Sequence, residues 1–215
     1  MPIFFQQETD ATTRLAIWKI EEDEAFFTAS VPLQRNITHP HKRQQHLAGR
    51  YLLRYLFADF PIDLIQIADT RKPFLEDEAY HFSISHCGDF AAVIVSKTRR
   101  VGMDIELFTE KVQRIRHKFI SVREEEIINN QQSIFNTPST NPLISQSTLI
   151  WSCKEALFKW YGLGNVDFRA DIQVQQIEMV GANQFETAVF LKKNGDHLRL
   201  HSQFFDTLCL SFIIT

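Results

Sequence analysis

The sequence predicts an α+β protein of two similar halves, each a small antiparallel sheet with packed helices. Three observations lead there. Its 215 residues suffice for one large domain or two small ones. Each half carries a helical pattern followed by short strands, and turn signals of hairpin length join neighbouring strands. The boundary falls near residues 97–108, giving an N-terminal half over 1–101 and a C-terminal half over 102–215. No sequence repeat links them, so the likeness is one of element order.

The first half opens with a strand at 14–20, "RLAIWKI", and the acidic start of a short helix, "EEDEAFF". After Thr38, "HPHKRQQHLAGRYLLRYLFADF" predicts a long helix ended near Pro61, with Leu47, Tyr51, Leu52, Tyr55 and Leu56 at helical spacing. In "YHFSISHC" (80–87), Tyr80, Phe82 and Ile84 alternate with His81, Ser83 and Ser85 as in a strand. Cys87-Gly88-Asp89 then turns the chain into a buried strand, "FAAVIVS". A turn at Thr98-Arg99-Arg100 leads into "VGMDIE" (101–106).

The second half predicts helix over "KVQRIRHKFISVREEEII" and a long polar loop over 129–147, a length that is usually functional or disordered. "TLIWSCKEALFKWYG" reads as a helix stopped by Gly162. The remainder reads as strands, with Asn194-Gly195 turning "FETAVFLKK" into "HLRLHSQFF". The 19 phenylalanines predict an aromatic core.

Composition narrows the classes. A formal net charge of −3 argues against a general nucleic-acid binder. Three scattered cysteines fit neither a disulfide framework nor a zinc site. The start lacks a signal-peptide pattern, and no apolar run reaches membrane-span length, so a soluble cytoplasmic protein is expected.

In "VGMDIE" a strand points Gly102, Asp104 and Glu106 to one face, with the two carboxylates about 7 Å apart at Cα. They can converge on one hard cation such as Mg²⁺, and without one they repel. Read alone, the hexapeptide is a solvated strand face before it is a site. In "WSCKEALFK", Trp151, Glu155 and Phe158 share a helical stripe, and a carboxylate between aromatics needs a partner. An ordinary Glu155–Lys159 pair at i,i+4 would supply one. Lys154 points about 100° away and reads as a surface lysine. Ser85 and His86 end a strand, where they can donate to a phosphate or merely cap a turn. Arg71 and Lys72 beside Pro73 make a stiff basic loop. His39, His41 and His46 with Lys42 and Arg43 make a basic helix start that lacks the partners of a metal site.

The order of these blocks is more specific than any one of them. "FSISHCGDFAAVIV", "VGMDIE" and "WSCKEALFK", preceded by "HLAGRYLLR" and by "RKPF" in the place of a G-K-P element, together resemble the Sfp-type 4'-phosphopantetheinyl transferases. The similarity runs from about residue 40 to 165. Met103 and Cys87 depart conservatively from the usual residues. "FISVREEEII" resembles a further element whose acid is Glu124, without a clear role.

That resemblance implies a fold of two α+β halves with coenzyme A in the cleft between them. It implies transfer of the phosphopantetheine arm of coenzyme A to a serine of an apo carrier protein (acyl, polyketide or peptidyl), with release of adenosine 3',5'-bisphosphate. By motif match, Asp104, Glu106 and Glu155 would hold Mg²⁺, or Mn²⁺, on the pyrophosphate. Lys159 would stabilise phosphate charge, and Glu155 or a metal-bound water would take the serine proton. Ser85 and His86 would contact phosphates, Lys72 the adenylate end and Arg43 the 3'-phosphate. Gly102 would leave room beside the acids. The length resembles the two-domain monomers, and Lys111, Arg114, Arg116, His117 and Lys118 form either a docking surface for an acidic carrier or a solvated helix face. A catalytically inactive homologue that binds coenzyme A or a carrier is the alternative.

Overall fold

The computed structural model describes residues 3–33, 36–130, 135 and 141–215. The chain divides into two compact units, Met1–Met103 with Ile214–Thr215, and Asp104–Ile213. Both combine antiparallel strands with packed helices, as the α+β expectation required.

In the first unit, strands β1 (Ile3–Asp10) and β2 (Thr13–Lys19) are followed by helices α1 (Glu24–Thr28) and α2 (Pro40–Leu56). Two short strands, β3 (Gln66–Ile67) and β4 (Pro73–Phe74), precede β5 (His81–Cys87) and β6 (Phe90–Ser96). The sheet runs β1-β2-β6-β5, antiparallel throughout. Strand β1 has no counterpart in the sequence reading: six of its eight residues are exposed, and its pairing with β2 supplies what its own pattern lacks. Helix α2 stops at Leu56, short of Pro61, because Phe57 and Phe60 leave the helix to join the core. Its N-cap is His39, with Pro40 in the first turn, where a missing N–H costs nothing.

The apolar face of α2 (Leu47, Ala48, Leu52, Leu53, Leu56) buries against β2, β5 and β6 through Ala16, Trp18, Phe82, Ala91, Val93 and Val95. Aromatic contacts knit the same core, with Phe60 lying 5.0 Å from Tyr80 and 5.1 Å from Phe82 between ring centroids. Gly49 lets helix and sheet approach, since a Cβ there would lie 2.8 Å from Ile84 Cγ2. Ile84 is β-branched and stiff, so it has little freedom to move aside.

The chain enters the second unit within β7 (Val101–Leu107), between Met103 and Asp104. There follow α3 (Glu110–Ile115), a 3₁₀ turn at Arg116–Lys118, α4 (Val122–Asn130), α5 (Pro142–Tyr161) and strands β8 (Ile172–Gly181), β9 (Gln184–Leu191), β10 (Asp196–Phe204) and β11 (Leu208–Ile214). Strands β8 to β11 form an antiparallel meander, with Gly195 in left-handed backbone at the expected turn. The helical region expected over 111–128 consists of α3, the 3₁₀ turn and the greater part of α4.

Two other expectations are corrected here. Of the long loop over 129–147, residues 142–147 are the first turns of α5. Asn141 caps that helix by accepting from Leu143 N–H, and Pro142 occupies the first turn, so the end of the expected loop is a helix start. Residues 131–134 and 136–140 of that loop lie outside the described residues. Lys154, expected at the surface, is completely buried.

The Lys154 ammonium meets Glu124 Oε1 at 2.6 Å and donates to the carbonyls of Phe119 (2.6 Å) and Phe168 (2.8 Å). Glu124 in turn closes a capping box on α4: its Oε2 accepts from Ser121 N–H at 2.7 Å, while Ser121 Oγ accepts from Glu124 N–H at 3.3 Å. Its Oε1 also accepts from Val174 N–H on β8 at 2.8 Å. Burial pulls the Lys154 ammonium below the ordinary lysine range, and the charge of Glu124 opposes that shift. One ion pair thus ties α4, α5 and β8 together.

Two substitutions test these packing arguments. Gly49→Ala should lower the unfolding free energy by about 1–3 kcal/mol in urea titration, although alanine is the better helix former. Equal or greater stability would refute the close-approach account. Lys154→Ala should cost about 3–5 kcal/mol by leaving Glu124 charged and alone, whereas Lys154→Met with Glu124→Gln should recover much of it. A double variant no more stable than Lys154→Ala would count against that reading.

Candidate active site

The acidic pair on β7 does not sit on a wet face. Asp104 is buried and Glu106 half-buried, and Met103 and Ile105 on the opposite side are buried as well. A strand covered on both faces has no solvated side to give its carboxylates, so each depends on protein partners. Lys159 Nζ lies 2.7 Å from Asp104 Oδ1, and Trp151 Nε1 donates to Glu106 Oε1 at 2.9 Å. Both partners come from α5, on the stripe that also holds Glu155. Trp151 and Phe158 pack against Phe168, with centroids 5.4 and 5.5 Å away, and this aromatic wall shelters the stripe. The ion pair of Lys159 is made across to β7; the ordinary pair within the helix with Glu155 is not the arrangement found.

Electrostatics bind these residues into one group. Burial, then the charges of Asp104 and Glu106, push the Glu155 carboxyl up to about 7, against the opposing pull of Lys159. Glu106 is raised by burial and by Asp104, with Trp151, Lys159 and Lys111 working the other way. Three acids therefore feel one another and a single ammonium. Among the described residues no three His, Cys, Asp or Glu side chains are gathered tightly enough to hold a metal by themselves. A hard cation does not need that: Mg²⁺ commonly takes one or two carboxylates and completes its shell with water and substrate phosphate. The donor set fits such an ion in kind, since all are oxygens and a divalent charge would reverse the repulsion that raises Glu155 and Glu106.

The first unit holds the other predicted residues. His86 is exposed at the end of β5 and lines a cavity of about 140 Å³ with His46, Arg50, Ile67, Arg71, Pro73 and Ile84. Ser85, its neighbour, is buried. Lys72 lines a different cavity, of about 360 Å³, with Arg100, His81 and Tyr80 among its walls. Burial first, and then the charge of Arg100, lower the Lys72 ammonium to about 8. Arg43 lines neither; its guanidinium meets Glu24 Oε2 at 2.7 Å and donates to Ile37 O at 3.2 Å. The cation beside His86 that sequence reasoning missed is Arg50, whose only mark was its place in "HLAGRYLLR". Lys111, Arg114, His117 and Lys118 are exposed on α3 and the turn after it, while Arg116 is held 2.7 Å from Glu125.

Comparison with known proteins bears on this arrangement. Enterobactin synthase component D of Salmonella typhi is 26% identical over 161 residues, covering 74% of this chain and 59% of that protein. The L-aminoadipate-semialdehyde dehydrogenase-phosphopantetheinyl transferase of Xenopus laevis is 28% identical over 161 residues, 67% of this chain and 53% of that one. The chain thus spans little more than half the length of these relatives. No helix among the described residues is long and apolar enough to cross a membrane. Residues 100–212, which carry the acids of β7, the stripe of α5 and the buried anchor beneath it, match the 4'-phosphopantetheinyl transferase superfamily, and the chain belongs to it.

Proposed function

We propose that this protein is an Sfp-type 4'-phosphopantetheinyl transferase, moving the phosphopantetheine arm of coenzyme A onto a serine of an apo carrier protein. The observation that carries the reading is the coupled group of Asp104, Glu106, Glu155 and Lys159, one ammonium among three sheltered acids. The name of the Xenopus relative supports it.

In this reaction the serine oxygen forms a bond to the phosphorus that bears pantetheine. The pyrophosphate P–O bond breaks, and adenosine 3',5'-bisphosphate leaves with its electron pair. Little covalent chemistry falls to the protein, so positioning and charge neutralisation dominate. Asp104, Glu106 and Glu155 would hold Mg²⁺, which supplies positive charge to the pyrophosphate. Lys159, 2.7 Å from Asp104, is the fixed cation for charge gathering on the leaving side. Glu155, or a water on the metal, would take the serine proton; in the metal-free protein the Glu155 carboxyl is pushed up to about 7, and a divalent ion beside it would lower it again. His86 and Ser85 would bind coenzyme A phosphate, and Lys72 the adenylate end. The exposed cations Lys111, Arg114, His117 and Lys118 offer an acidic carrier a docking face.

The decisive experiment incubates the protein with apo carrier, coenzyme A and Mg²⁺ and reads the carrier by mass spectrometry. One phosphopantetheine per carrier is expected, and chelation of the metal should abolish it. Coenzyme A binding without any transfer would leave a binding homologue instead. Asp104→Ala and Glu155→Ala should each reduce transfer roughly 100-fold or more. Retained activity in either removes that residue from the metal set. His86→Ala should raise KM for coenzyme A roughly tenfold, the worth of one charge-assisted hydrogen bond. The pH profile gives a further check. Lys72 loses its proton as pH rises through about 8, so kcat/KM for coenzyme A should fall above that pH, and Lys72→Met should lack this limb.

A further inference from the structure

Asp104 and Glu106 belong to the end strand of a sheet that runs β7-β11-β10-β9-β8. An end strand offers one row of backbone groups to its neighbour and turns the other row away. The register assigns the rows. Arg100 exchanges both backbone hydrogen bonds with Thr215, at 3.1 and 3.0 Å, where the chain of β11 runs out. By antiparallel alternation the backbone groups of residues 102, 104 and 106 then face β11, and those of 101, 103 and 105 face the outer edge.

At Met103 that outer edge is held by a side chain. Ser83 Oγ accepts from Met103 N–H at 3.1 Å and donates to Met103 O at a longer 3.4 Å. Ser83 is 4% exposed and Met103 is fully buried, so these backbone groups cannot turn to water instead. Ser83 entered the sequence reading only as one polar residue of an alternating strand. It lies on the face of β5 away from α2, because its neighbour Phe82 belongs to the core around that helix. One residue further along, Ser152 Oγ of α5 donates to Asp104 O at 3.4 Å. Hydroxyls thus hold the backbone on both sides of the bond that joins Met103 to Asp104. The direction of a side chain follows its backbone, so a twist at residue 103 swings the Asp104 carboxylate away from Lys159, its partner at 2.7 Å. A cation's ligands need closer placement than a strand free to twist along one edge provides.

We propose that Ser83 is a positioning residue of the metal site: it fixes the backbone of β7 at Met103 and so holds the Asp104 carboxylate where a divalent ion binds. The proposal rests on Asp104 being a metal ligand. Mn²⁺ is the probe, followed through the paramagnetic resonance signal of the free ion with coenzyme A present. Ser83→Ala should bind Mn²⁺ roughly tenfold more weakly than the wild type, the usual order for losing a group that orients a ligand. The Mg²⁺ needed for half-maximal transfer should rise in step, and kcat should largely return at saturating Mg²⁺. Ser83→Thr, which keeps the hydroxyl, should bind close to wild type. Ser83→Cys, a weaker donor and acceptor of similar size, should show a smaller loss and carries the test if the alanine variant does not fold. Ser202→Ala separates positioning from general loosening. That hydroxyl is 3% exposed and bonded to Cys153 and Ser211, so its loss should lower Tm and leave Mn²⁺ affinity unchanged. Wild-type affinity in Ser83→Ala, or in Ser83→Cys where that replaces it, would overturn the proposal provided Asp104→Ala still loses the ion. An equal loss in Ser202→Ala would overturn it too. If the wild type binds no Mn²⁺, or Asp104→Ala binds it as well, the metal reading itself falls and this proposal with it.

Discussion

The ion pair between Lys154 and Glu124 sets the frame of the second unit. Taking two charges out of water costs several kcal/mol apiece, and the pair persists because the ammonium has three partners and both carboxylate oxygens are hydrogen-bonded. Lys154 reaches two carbonyls besides the carboxylate, and Glu124 caps α4 and accepts from β8. Such an anchor fixes the rotation of α5 as well as its position. Successive residues on a helix are turned by about 100°, so a lysine held inward at 154 determines where residue 155 faces. Glu155 and Lys159 then meet the acids of β7, while Cys153, one residue before the anchor, lies among Thr187, Ser202 and Ser211.

The chemistry grows from a second constraint, the concentration of like charge in a sheltered place. A strand buried on both faces cannot hand its carboxylates to water, and Trp151 and Phe158 pack on Phe168 along the stripe of α5 that holds Glu155. Asp104 and Glu106 therefore raise the proton affinity of Glu155, and Asp104 raises that of Glu106. Such a group is unfavourable alone and would be relieved by added positive charge. The first unit shows the complementary choice: arginine and histidine gathered from α2, β5 and the turn at Arg71 around a cavity without lining acids.

How much of this is legible in the sequence depends on how far apart the informative residues lie. Strands β2, β5 and β6 and the hairpin at Asn194-Gly195 are readable because local alternation and turn chemistry specify them. Strand β1 is not, since its polar sequence becomes a strand only by pairing with β2. Residues 142–147 mislead because a polar, proline-containing run reads as loop, whereas Asn141 and Pro142 begin a helix there. Lys154 misleads for a related reason. Nothing near it announces Glu124, which lies 30 positions earlier and whose acid looks like one of three in a row, "EEE".

By its resemblance to a family the sequence pointed to the acids and the lysine as candidate site residues, and by itself it determined the α+β class and most of the helices and strands that carry them. These depend on local periodicity and on which side chains are present. Tertiary structure alone decided that Lys159 pairs with Asp104, that Lys154 is buried, that Arg50 joins His86, and that Arg71 and Lys72 line separate cavities. The reason is physical: burial, partner distance and a carboxyl's proton affinity are properties of neighbours brought together by folding, and a residue's own letter does not carry them.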